Sequence, residues 1–129
     1  MDDCPFCQIA AGDSETELIA ESAHSVAFYD RYPVSDGHTL VIPRHHEADL
    51  FDLDPGERAD AWALLDSVRA LLVERFNPDG LNIGVNENEA AGQTIHHAHI
   101  HLIPRYQGDV EDPRGGIRWV IPDKAPYWG

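Results

Sequence analysis

Four of the chain's eight histidines fall in one stretch, Ile95-His96-His97-Ala98-His99-Ile100-His101-Leu102-Ile103. In an extended strand successive side chains alternate between faces, so His97, His99 and His101 are expected on one face and Ala98, Ile100 and Leu102 on the other. Three neighbouring imidazoles repel when charged and need partners when neutral, so packing alone does not account for them. Two chemistries use such a row: neutral imidazole is a common metal ligand, and it is also a nucleophile with acid/base helpers. The residues upstream separate the two. Gly92-Gln93-Thr94 supplies flexible backbone, an amide and a hydroxyl, and Asn86 a second amide, all able to hold phosphate oxygens. A zinc on three histidines needs none of these groups, whereas an imidazole attacking phosphorus needs donors on the non-bridging oxygens. His96 is expected to point away from His99, with no catalytic role.

The two cysteines form a second group, Cys4-x-x-Cys7. This spacing suits a metal or redox pair better than a disulfide framework. It supplies half of a tetrahedral zinc site, whose other ligands would come from histidines distant in sequence, and the alternative is two free thiols.

The elements that must position these groups are short. Asp54-Pro55-Gly56-Glu57 opens the clearest helix, with Asp54 as N-cap, Pro55 as first helical residue and Glu57 as the returning acid of a capping box. Trp62, Leu65, Val68, Leu72 and Phe76 fall on one face, and Asn77-Pro78 ends the helix. Strands are expected at Ser25 to Tyr29, Thr39 to Pro43, Leu81 to Val85 and His96 to Ile103, with further strand stretches at Glu17 to Ala20 and Trp119 to Ile121. Strands on either side of one long helix point to an antiparallel α+β domain rather than a regular βαβ array.

At 129 residues, 43% of them hydrophobic, the chain is expected to form a single domain over 1–129. The N-terminus has acids where a secretory signal needs bases, and no stretch approaches eighteen apolar residues, so a cytoplasmic protein without a membrane partner is expected. The net charge of −14 argues against nucleic acid as a partner, because phosphate contacts need clustered Lys and Arg. Residues 1–104 hold five Lys/Arg against nineteen Asp/Glu, while residues 105–129 hold four of each. The body is acidic and the tail neutral, which makes Arg44 and Arg105 candidate local donors for a bound polyphosphate.

GQTIHHAHIHLIPR at residues 92–105 resembles the signature of the histidine triad (HIT) family, His-φ-His-φ-His-φ-φ preceded by Gly-Gln-Ser/Thr, with φ apolar. The resemblance extends to Phe28-Tyr29-Asp30, to GHTLVIPRHH at 37–46 and to CPFCQI near the N-terminus. It covers most of residues 4–108, leaving 109–129 as a C-terminal tail. Pro104-Arg105 resembles the hydrolase branches and bacterial members. The resemblance implies an antiparallel sheet of about five strands with one long and one short helix. It also implies a nucleotide substrate cleaved at the α-phosphorus, with no cofactor needed for the chemical step.

By the same resemblance, His99 would be the nucleophile and His101 and Thr94 would contact the phosphate. Asn86 and the Gly92 backbone would help hold it, and Gln93 would lie near the leaving-group bridge. Asp30 would bind ribose hydroxyls, with Phe6, Ile9, Phe28 and Tyr29 around the base. The residues themselves allow plainer roles: Phe28 and Ile9 suit a core, and Asp30 a turn before Pro33. Some bacterial members carry zinc on a CxxC pair, a histidine after the Pro-Lys/Arg segment and the first triad histidine, matching Cys4, Cys7, His46 and His97. Such a zinc would be structural, and His45 leaves its third ligand open by one residue. Members are usually homodimers that pair their sheets. His24 and His38 are read as structural or exposed.

Overall fold

The structure, a computed structural model, describes residues 3–129. Its elements are helix α1 (Pro5–Ala11), strands β1 (Ala20–Glu21), β2 (Ser25–Tyr29) and β3 (Thr39–Pro43), helix α2 (Pro55–Phe76), and strands β4 (Gly80–Val85) and β5 (Ile100–Arg105), with short 3-10 turns between and after them. The five strands form one antiparallel sheet in the order β1-β2-β3-β5-β4. This is the α+β, HIT-like fold expected. Among the described residues no helix is long and apolar enough to cross a membrane.

Alternation along the strands gives the sheet two different faces. Ala27, Val41, Ile100 and Leu102 point to α2 and pack with Ala61, Leu64, Leu65, Val68 and Leu72 in the main core. Val26, Phe28, Leu40 and Ile42 point the other way and pack with Phe6 and Ile9 of α1. The helix stripe is therefore offset from expectation: Ala61 and Leu64 supply its first contacts, while Trp62 is 41% exposed. Asp54 occupies the N-cap position of α2 without a side-chain cap bond. Glu57, expected to complete the box, instead lies 3.3 Å from His45 Nδ1. At the other end Asn77 adopts the left-handed conformation, its N–H donating to Val73 O.

Two further expectations shift. The first strand is Ala20–Glu21 rather than Glu17 to Ala20, fixed by pairing of Ala20 with Ala27. Trp119 to Ile121 is not a strand: Gly116–Val120 is a 3-10 turn, entered through Gly115 and Gly116 at positive φ and held by Trp119 Nε1–H donating to Arg114 O. Its Ile117 lies over Gly84, where a Cβ would sit 3.8 Å from the Ile117 Cδ1. The tail thus covers part of β4.

Gly37, in the turn two residues before β3, has φ +88, and a Cβ there would come within 2.9 Å of the Phe76 ring. Only glycine meets both conditions, which brings His38 to the start of β3, beside His101.

Candidate active site

The strand carrying the histidines begins later than the sequence pattern suggests, at Ile100 rather than His96. The reason lies on β3. Pro43 has no N–H to extend the ladder, and its carbonyl accepts from His97 Nε2 at 2.7 Å. Residues 93–98 instead follow residues 43–48: Ala98 N–H donates to Glu47 O at 2.7 Å, and Gln93 Nε2 donates to Ala48 O at 2.8 Å. The facing nevertheless holds, since Ala98, Ile100 and Leu102 join the α2 core while the rings of His97 and His99 meet Phe6 of α1.

Hydrogen bonds fix the proton positions on this face. His99 Nδ1 lies 2.8 Å from His97 O; a carbonyl only accepts, so Nδ1 carries the proton and Nε2 keeps its lone pair. The His99 ring is 8% exposed and packs edge-on against Phe6 and His101, each centroid 5.1 Å away. Burial, with the charges of His99 and His38, pushes the His101 pKa down to about 4 despite opposition from Asp30. His101 is therefore neutral at neutral pH. Its Nδ1 is 3.0 Å from Nε2 of His38, which is 3% exposed and has no motif of its own in the sequence to mark it.

His97 serves a separate group. With its Nε2–H given to Pro43 O, its Nδ1 lone pair faces Cys4 Sγ at 3.4 Å and Cys7 Sγ at 3.5 Å. His46 Nδ1 lies 3.2 Å from Cys7 Sγ. The ligand atoms of Cys4, Cys7, His46 and His97 all lie within 4.8 Å of one another. Two thiols, two imidazoles and a carbonyl orienting one imidazole are the donor set of a closed tetrahedral zinc site. His45 points elsewhere, toward Glu47 and Glu57. Burial, then the Cys4 thiol, pushes the Cys7 pKa up to about 11, so a cation would have to displace a tightly held proton.

The model of the HIT domain family matches residues 11–108. The chain belongs to the histidine triad family. A HIT family protein from Bacillus anthracis has a solved structure 40% identical to this HIT chain, with a TM-score of 0.79, covering 84% of this chain and 77% of that one. A zinc-bound histidine triad family protein from Mycobacterium smegmatis is 37% identical, with a TM-score of 0.78 and coverage of 86% and 81%. The adenylylsulfatase HINT3 of Arabidopsis thaliana is 35% identical over 84% of this chain and 55% of its own length.

Other residues expected at the HIT site are brought there unequally. Asn86 directly follows Val85, the last residue of β4, which pairs with Ile100 at the start of β5. Gly92, at φ +98, and exposed Thr94 lie in the loop before the histidines. Gln93 is buried, its Oε1 accepting from Asn88 N–H and its Nε2 donating to the carbonyls of Ala48 and Ile95. It holds the loop, and its amide is not free to face a leaving group. Phe6, Ile9 and Phe28 are each under a tenth exposed, packed together on the histidine side.

Asp30 accepts from Tyr32 N–H at 2.9 Å through Oδ1 and sets Oδ2 3.5 Å from His38 Nε2. Tyr29 is not brought to the site: it packs on Phe76, its hydroxyl accepts from Arg75, and it joins the α2 core. Its neighbour Phe28 points the opposite way, as strand alternation requires. Neither candidate arginine stands free. Arg44 ties Ser22 O, Ala10 O and Glu21 together, and Arg105 is held by Asp109 and Asn82. His96 is exposed.

Proposed function

We propose that this chain is a nucleotide hydrolase that cleaves at the α-phosphorus of a dinucleoside polyphosphate or nucleoside phosphoramidate through a nucleotidyl-His99 intermediate. The observation that supports it most is the 2.8 Å contact between His99 Nδ1 and the His97 carbonyl. That bond places the proton on the far nitrogen and leaves Nε2 as a neutral nucleophile, while the carbonyl stabilises the positive charge that builds as the ring attacks. In the first half-reaction the P–Nε2 bond forms as the bond from phosphorus to the leaving oxygen or nitrogen breaks. Water then attacks the same phosphorus, and the pair of electrons returns to Nε2.

His101, Thr94, Asn86 and the Gly92 backbone hold the phosphate oxygens in this reading, and Asp30 binds the ribose. Phe6, Ile9 and Phe28 form the apolar side on which the base rests. Zinc on Cys4, Cys7, His46 and His97 is structural, since four protein ligands leave no open position; when bound it pins α1 to the catalytic segment. That an Arabidopsis relative is named an adenylylsulfatase favours adenylyl compounds as first substrates. Nucleotidyl transfer to another phosphate follows the same chemistry with a different acceptor, and a nucleotide-binding signalling module would use the pocket without turnover. A second copy would add at β4, a sheet edge with Ile83 exposed, to give a homodimer.

A panel of adenosine and guanosine polyphosphates and phosphoramidates, assayed with the wild type and His99→Ala, tests the reading. The wild type should cleave at least one with a phosphohistidine trapped at residue 99, and His99→Ala should be inactive. Near-full turnover by His99→Ala would overturn the mechanism.

A further inference from the structure

His38 immediately precedes β3, next to Thr39, which pairs with Leu102 of the histidine strand. Its ring sits between three groups. Nδ1 is 3.1 Å from the backbone N–H of Val34, Nε2 is 3.0 Å from His101 Nδ1, and Nε2 is 3.5 Å from Asp30 Oδ2. The ligand atoms of Asp30, His38 and His101 lie within 4.8 Å of one another, so two readings compete: a second metal site or a directed hydrogen-bond chain.

The Val34 N–H decides between them. A backbone N–H can only donate, so the nitrogen it faces must hold a lone pair, and the proton of a neutral His38 ring is then on Nε2. A cation on Nε2 would push that proton onto Nδ1, into the Val34 N–H, at a buried site where an unmatched donor is costly. The cluster therefore does not suit a metal. The same logic continues outward: Nε2–H of His38 has to donate to His101 Nδ1, and the His101 proton is left on its own Nε2.

We propose that His38 is a positioning residue that fixes the proton of His101 on Nε2 and so makes His101 a hydrogen-bond donor toward the substrate phosphate. This rests on the reading of His101 as a phosphate contact given above. His99 and His101 are thereby set in opposite tautomers, His99 by accepting partner His97 O and His101 by donating partner His38. One ring offers a lone pair to phosphorus; its neighbour offers a proton to a phosphate oxygen. Burial lowers the pKa of both His38 and His101, which keeps the chain neutral and its direction defined. The Val34 N–H closes the inner end at Nδ1, while Asp30, held by Tyr32 N–H at Oδ1, sets Oδ2 beside the His38 Nε2–H and so also favours the proton on that nitrogen.

Long-range proton–nitrogen correlation spectra of histidine-labelled protein at neutral pH read the tautomers without any substrate. His38 and His101 should each appear protonated on Nε2 only, and His99 on Nδ1 only. A proton on Nδ1 of His38 or of His101 would overturn the proposal. In His38→Phe the His101 signal should move to a mixture of tautomers, with kcat on the best nucleotide falling roughly 10- to 100-fold and KM little changed. His38→Gln, whose amide can still donate to His101, should regain the wild-type His101 signal and most of kcat. A wild-type His101 spectrum in folded His38→Phe would sink the idea, and if that variant does not fold, the wild-type and His38→Gln spectra decide it. Should the wild type turn over no nucleotide, the hydrolase reading fails, while the spectra still decide the role of His38.

Discussion

Replacing Phe6 tests how the first helix supports the nucleophile. Phe6 is 5% exposed and its ring meets Phe28 at 5.6 Å, His97 at 5.9 Å and His99 at 5.1 Å, all edge-on. Truncating a buried phenylalanine to alanine costs about 3–5 kcal/mol. The lower end applies here, because α1 has only seven residues and can partly collapse into the space. For a chain of 129 residues, a melting entropy of about 2.1 cal/mol/K per residue converts about 3 kcal/mol into a drop of roughly 11 °C. The His99 ring would lose one of its two flanking rings, and a misplaced nucleophile costs about 10-fold or more in kcat. Phe6→Leu, which refills most of the volume but not the flat edge, should recover most of the melting temperature and little of kcat. Calorimetry and single-turnover kinetics on the three proteins read both effects. A melting temperature and kcat for Phe6→Ala within error of wild type would refute the claim that α1 braces His99.

Tyr29→Phe should leave turnover and KM unchanged, since Tyr29 faces α2, and a large rise in KM would restore it as a base contact. Chelation should strip about one zinc per chain and lower the melting temperature by roughly 15 °C, taking zinc at about 1,000 times its Kd as worth about 4 kcal/mol; turnover should not vanish at once. Because Cys7 must give up its proton, zinc affinity should rise with pH in competition titrations. Stability should fall with acid: His101 is held near 4 against an ordinary 6.5, so the unfolded chain takes up the proton first and stability is lost as pH drops from 6.5 through 4. After allowing for partial exposure the loss from His101 is about 2 kcal/mol, measurable by urea unfolding, and His101→Gln should reduce that slope while the share of buried His97, held near 4 as well, remains. An unchanged slope would assign the acid loss to other groups.

The elements with local signals were legible in the sequence. β2 and β3 have the expected ends, β4 gains only Gly80, and α2 lies between Asp54 and Asn77. The two-faced character of the histidine segment also follows from alternation. What was not legible depends on partners distant in the chain. β5 starts four residues late because Pro43 withholds an N–H and lends its carbonyl to a histidine ring. Gln93 reads as a substrate contact until its amide is seen spent on Ala48 and Ile95. His38 has no periodic companion, and its pairing with His101 is created only when β3 and β5 meet. Within the tail Trp119 to Ile121 reads as a strand, but Gly115 and Gly116 turn the chain just before it, and Arg114 and Arg118 pack over Trp128 and Tyr127 within the same segment.

Within six residues, 43–48, the chain supplies a carbonyl from Pro43, a ring from His46 and the carbonyls of Glu47 and Ala48, each engaged by a partner outside that stretch. Adding or deleting one residue there would put several of these anchors out of step together, with no slack nearby to absorb the change. Length variation among natural homologues, and any insertion made to tag or split this protein, should therefore fall in segments such as 13–17 or 107–113 and spare this short span.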